Sequence, residues 1–130
     1  MSLDELPSID EIYANHDEIV ERFELDNPGV DDYFPDRKLQ DVLDEARQYD
    51  DVYVRAAILL RELASAHIFA DGNKRTAFLT AVEYLDRFEI EPAELHPEDI
   101  QRVIKSLSRF DATEISTWLQ TGQIDENRLN

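Results

Sequence analysis

The chain predicts an all-α fold, and three observations carry that expectation. Apolar residues recur at three- and four-residue steps in six separate segments. Those segments open or close on helix punctuation: serine ahead of an acidic first turn, proline at a first position, glycine just past an end. No alternating run of the strand kind survives, apart from short pieces around Tyr33. With 130 residues, 42% of them hydrophobic, the chain suits one domain over 1–130 with its own core. A polar lead, 1–7, and a tail, 123–130, are expected to be loose.

Taken in order, Ser8-Ile9-Asp10-Glu11 has the form of a capping box and opens a first helix that ends near Phe23. His16 lies on it and reads as a partly buried structural histidine. The stretch from Asp26 to Pro35 holds two prolines and a glycine and reads as a loop or short hairpin. Its Tyr33 and Phe34 either serve recognition or plug the core. A second helix runs from Asp36 to Tyr49 on the stripe Leu39, Val42, Leu43 and Ala46. The third begins near Asp51 and is central, because polar residues rarely interrupt Val52, Ala56, Leu59, Leu60, Leu63 and Ala64. The same spacing puts His67 at the last turn of that buried stripe. A fourth helix spans Thr76 to Phe88, and two apolar helices joined by so few residues should pack as an antiparallel hairpin. His96, exposed before Pro97, introduces a fifth helix through Leu107. A sixth covers Ala112 to Gln120 and stops at Gly122.

Composition narrows the chemistry. Thirty acids against thirteen bases give a formal charge of −17, spread through every segment, and such a surface disfavours direct nucleic-acid binding. Only Lys38, Lys74 and Lys105 are lysines, the other bases being arginines, a balance that resembles proteins of salt-loving organisms. The absence of cysteine removes disulfides, thiolate catalysis and cysteine-ligated metal. His16, His67 and His96 form no His-x-x-x-His pair of the zinc-binding kind. No apolar run approaches the ~20 residues of a membrane span, and Met1 to Glu5 lack signal-peptide character, so a cytoplasmic protein is expected.

One stretch concentrates chemistry: His67-Ile68-Phe69-Ala70-Asp71-Gly72-Asn73-Lys74-Arg75-Thr76-Ala77. Lys74 and Arg75 stand at a helix start, where the macrodipole favours acids, so an anion is expected there. The ordinary alternative is a corner capped by Asp71 or Asn73 with both cations solvated. Gly72 permits close backbone approach, and the N–H groups that follow can cradle phosphate. Arginine can bind phosphate oxygens in pairs, Asp71 is a hard oxygen donor of the sort magnesium uses, and His67 could accept a proton from a hydroxyl. Together they describe transfer of a phosphate-containing group from a nucleotide to a hydroxyl.

Nine defined positions in these eleven resemble the signature of the Fic/Doc superfamily, and specifically its death-on-curing branch. The resemblance extends over roughly residues 9 to 120, through the early helix with a histidine, the Pro28-Gly29 loop and Val54-Arg55-Ala56-Ala57. It implies a compact helical bundle of about six helices with the motif loop between two central ones. It also implies His67 as general base, Phe69 as the buried anchor of the loop, Asp71 as magnesium ligand, and Gly72, Asn73, Lys74 and Arg75 as the cradle for ATP phosphates. AMP-transferring members carry a second glycine where this chain has Lys74, and a later arginine where it has Phe78. Both departures resemble the Doc branch, which implies a toxin that phosphorylates a hydroxyl of elongation factor Tu or an equivalent factor. AMP transfer and a nucleotide-binding pseudoenzyme remain the alternatives. No Ser/Thr-x-x-x-Glu-Gly/Asn inhibitory segment occurs in the chain, so the resemblance implies an antitoxin in trans, and it places a target-docking flap at 26–36.

Overall fold

A computed structural model describes residues 5–129; residues 1–4 and 130, part of the lead and tail expected to be loose, lie outside the described residues. The architecture is all-α. Six helices follow one another: α1 Ile9–Arg22, α2 Pro35–Arg47, α3 Val52–Ser65, α4 Asn73–Asp86, α5 Pro97–Lys105 and α6 Ala112–Thr121. Short 3-10 turns occupy Leu107–Arg109 and Glu126–Arg128.

Local chemistry explains most boundaries. Ser8 accepts from Glu11 N while the Glu11 side chain returns to Ser8 N, and Asp111 and Glu114 repeat this reciprocal capping on α6. Asp51 caps α3 through Val54 N, and Pro35 and Pro97 occupy first positions where no N–H is needed. Gly122, at φ +79, ends α6.

Helix α3 is the axis. Eight of its fourteen residues are buried, Arg55 among them, and it packs against α2, α4 and α6 while α1 covers α4. Leu59 and Leu60 are fully enclosed, and burial of each side chain contributes about 1.5–3 kcal/mol. Arg55 is 3% exposed, and its guanidinium donates to the carbonyls of Tyr49 (2.5 Å) and Arg47 (3.1 Å). Those carbonyls lie at and just past the end of α2, where helix geometry leaves acceptors without partners. Arg55 thereby fixes the α2–α3 corner.

The ends that the sequence leaves loose make contacts where they are described. Leu6 and Pro7 are buried, and the Arg87 guanidinium donates to Glu5 O. In the tail, Arg128 pairs with Glu114 and stacks on Phe110. Tyr33 and Phe34 do not plug the core: they are 95% and 71% exposed.

Candidate functional site at the turn between α3 and α4

Two departures from the sequence expectation shape this turn. Helix α4 begins at Asn73, three residues before Thr76, so Lys74 and Arg75 fall in its first turn. His67 does not end a buried stripe: α3 stops at Ser65, Ala66 is the C-cap, and His67 is exposed with φ +52. A left-handed residue just past a helix is usually glycine. A histidine there costs about 1–2 kcal/mol in backbone strain, which the surrounding structure must hold.

What holds it is a bridge on one side and a wedge on the other. Val30 and Phe69 form an isolated antiparallel β-bridge: Asp31 donates to Ile68 O at 2.8 Å, and Ala70 donates to Gly29 O at 2.9 Å. The 26–35 loop therefore lies along the motif. Lys38 ties it down further, pairing with Asp32 at 2.6 Å and reaching to 3.5 Å from the carbonyl of Ala66. The Lys38 ammonium and then the Phe34 N–H hold the Asp32 carboxyl below its ordinary range.

Phe69 is 4% exposed and is the wedge. Its ring lies 3.7 Å from that of His16, nearly parallel at 6°, and meets Tyr13 edge-on at 5.9 Å. His16 is buried, and its Nε2 is 2.9 Å from Asp71 O. A carbonyl can only accept, so Nε2 carries the proton. His16 is thus structural, with a more specific duty than its sequence position suggests: it pins the motif turn onto α1.

Tyr13 extends this support to α2 by donating to Asp36 Oδ1 at 2.5 Å. Partial burial, and then the bond to the Asp36 carboxylate, push its hydroxyl from the ordinary 10 up to about 12. A raised folded-state pKa stabilises below the unfolded value and is lost as pH climbs through the folded one. The stability difference between the wild type and Tyr13→Phe should therefore shrink between pH 10 and about 12. Urea midpoints measured across that range check it, and a constant difference would refute the Tyr13–Asp36 contribution.

The turn itself is built as an anion seat. Gly72, at φ +80, is the N-cap of α4, and no side chain caps this helix. Asn73 instead bonds both backbone groups of Phe69, its Oδ1 accepting from Phe69 N at 3.1 Å and its Nδ2 donating to Phe69 O at 2.8 Å. Asp71 Oδ1 accepts from Gly72 N at 2.7 Å. Neither acid nor amide occupies the first N–H groups of α4, so the capped corner offered by the sequence does not form. A Cβ on Gly72 would sit 2.8 Å from Leu25 Cδ1 and 3.3 Å from Ile19 Cγ2, so Leu25 would have to move, and the φ of +80 strains any other residue there.

This seat opens into a crevice of about 530 Å³ that gathers His67, Asp71, Gly72, Asn73, Lys74 and Arg75 along one wall. Gln101, Ile104 and Lys105 of α5 form the opposite wall. A second hollow of about 270 Å³ adjoins it, sharing His67, Lys74, Ile104 and Lys105. Among the described residues neither Lys74 nor Arg75 has a carboxylate partner, although the chain holds thirty acids. Two uncompensated cations beside an uncapped helix start make this the place for an anion. Another hollow, about 460 Å³ between the start of α5 and the end of α6, is rimmed by Glu94, Asp99 and Glu126, and it repels one.

The α5 wall was not legible from the motif, because it comes from a segment about thirty residues further on. Its one sequence signal is Lys105, a lysine in a chain that otherwise prefers arginine. Metal donors are sparse. No group of three or more His, Asp or Glu residues suited to a metal occurs among the described residues. One carboxylate, Asp71, faces the crevice with its Oδ2 not engaged by Gly72. Such a donor fits magnesium held jointly with substrate phosphates, and it does not fit a metal caged by protein alone.

The all-helical scaffold thus sets an exposed histidine beside an uncapped, cationic helix start. A family model described as Fic/DOC family matches residues 6–85, more than half of the chain, and the chain belongs to that family. No curated protein matches it. Fic/Doc proteins are in general transferases that use a nucleotide with magnesium to modify protein hydroxyls. The matched span contains every motif residue and ends before α5. No helix among the described residues is long and apolar enough to cross a membrane.

Proposed function

We propose that this protein is a Doc-like phosphotransferase that moves the terminal phosphate of ATP to a hydroxyl of a host protein. The observation that carries the reading is the pair of cations, Lys74 and Arg75, left without carboxylate partners at the uncapped start of α4, in one crevice with exposed His67. In the proposed step the acceptor oxygen forms a bond to the terminal phosphorus as the bond to the bridging oxygen breaks. The hydroxyl proton passes to His67, and ADP departs. Gly72, Asn73, Lys74 and Arg75 bind and orient the phosphates, and Asp71 is the carboxylate that would hold magnesium. Bound magnesium supplies charge neutralisation at the phosphate oxygens.

Phosphate transfer is preferred to AMP transfer because Phe78 stands where a second phosphate-binding arginine would. Its ring is half-buried and faces Trp118 at 6.5 Å, with no cation offered at that position. The exposed loop carrying Val30, Tyr33 and Phe34 beside the crevice suits docking of the target, for which a translation elongation factor is the proposed candidate. A toxin role, with a separate antitoxin closing the crevice, completes the reading. The acidic, arginine-rich composition supports a halophilic source and work in concentrated salt.

The test is intact-mass analysis of host proteins incubated with this chain, ATP and magnesium at high ionic strength. A phosphate-sized increment on one protein is the expected result. An adenylate-sized increment transfers the reaction to the AMP class, and nucleotide binding without any product identifies a pseudoenzyme.

A further inference from the structure

The end of α1 folds beneath the anion seat in a way that the motif does not encode. Leu25 N donates to Val20 O at 3.1 Å, and Glu24 N to Glu21 O at 3.4 Å, the paired bonds of a Schellman reversal. The left-handed position of that reversal is Glu24, at φ +50, where glycine is usual. The two side chains flanking it reach the two ends of the seat. Leu25 Cδ1 lies 2.8 Å from where a Cβ on Gly72 would fall, and the Phe23 ring lies under Arg75, whose guanidinium carbon is 4.1 Å from the ring centroid.

Phe23 is 44% exposed, an apolar surface that core packing does not explain. A guanidinium stacked on an aromatic face keeps its N–H edge free in its own plane, while a carboxylate partner would occupy that edge and neutralise the charge. The chain holds thirty acids, so pairing of that kind is the competing fate for an arginine. Stacking also removes part of the rotamer freedom that a long side chain otherwise loses when it binds a ligand.

We infer that Phe23 is a positioning residue for phosphate recognition: its ring holds Arg75 charged, unpaired and face-on at the crevice, ready for the phosphates of the nucleotide donor. The inference rests on the transferase reading above, and it adds a residue outside the motif to the working site. Phe23 does not touch substrate; it acts through Arg75.

Affinity of the full chain for ATP with magnesium, measured by calorimetry in matched salt, tests it on five proteins: wild type, Phe23→Leu, Phe23→Tyr, Arg75→Met and the Phe23→Leu, Arg75→Met double variant. Phe23→Leu should weaken binding about two- to fivefold, the range of an exposed cation–π contact. Phe23→Tyr should restore it. In the Arg75→Met background the Phe23→Leu change should have no further effect, because the group it positions is gone. Equal weakening in both backgrounds, or none in either, overturns the inference while leaving the transferase reading intact. A wild type that binds no nucleotide overturns both. Circular dichroism on every variant separates lost affinity from lost fold.

Discussion

His67→Ala is expected to abolish group transfer while leaving the helical fold in place. General-base assistance is worth about 10²–10⁴-fold, so residual turnover should fall by that factor. Stability should change little, because His67 is exposed, lies beyond the end of α3 and takes no part in the core. Its left-handed backbone is the one complication, since replacing any residue at φ +52 can shift local strain. His67→Asn serves as the control, because asparagine tolerates that conformation while lacking the base. Both variants should bind ATP with magnesium as the wild type does, with transfer reduced by that same factor. Full activity in His67→Ala would show that the proton goes elsewhere and that the mechanism is wrong.

The largest stability effect is expected at Phe69. Truncating a buried phenylalanine to alanine costs about 3–5 kcal/mol, from lost transfer energy and the cavity left behind. This ring is 4% exposed, stacked on His16 and met edge-on by Tyr13, so few neighbours can collapse into the gap. Phe69→Ala should lower the urea midpoint accordingly. It should also weaken nucleotide binding under conditions where the protein is still folded, because His16 and Asn73 hold the turn through contacts on either side of that ring. Phe69→Leu should recover most of the stability. A loss below about 1 kcal/mol in Phe69→Ala would mean that the ring is not what anchors the turn.

The helices were legible because their determinants are local. The Ser8 and Asp111 boxes, the prolines at 35 and 97 and the glycine at 122 act within a few residues of themselves, so periodicity and punctuation located six helices to within a few positions. The motif was legible for a related reason. Phosphate chemistry needs a glycine, free N–H groups and cations in immediate succession, and that succession is contiguous in the chain. The misplacement of His67 has an equally definite cause. Periodicity continues a helix for as long as apolar residues fall in register, and Ile68 and Phe69 extend the apolar character past Ser65. The backbone of this stretch, however, is held by a loop more than thirty residues earlier, Ile68 O accepting from Asp31 N and Ala70 N donating to Gly29 O. With that bridge in place the chain leaves helical geometry at His67, just past the C-cap Ala66, and the histidine stands exposed.

The same distinction divides the site. The sequence by itself determined the class of fold, the turn between α3 and α4, and the chemical identity of the groups gathered there. Only the tertiary structure decided that α4 starts at Asn73 behind Gly72 without a side-chain cap, that His16 and Tyr13 brace Phe69, that α5 supplies the facing wall, and that Phe23 lies beneath Arg75. Capping and helix periodicity operate over three or four residues, within reach of any reading of the chain. Stacking, bridging and crevice formation join segments tens of residues apart, and their partners are settled by how the core closes around α3.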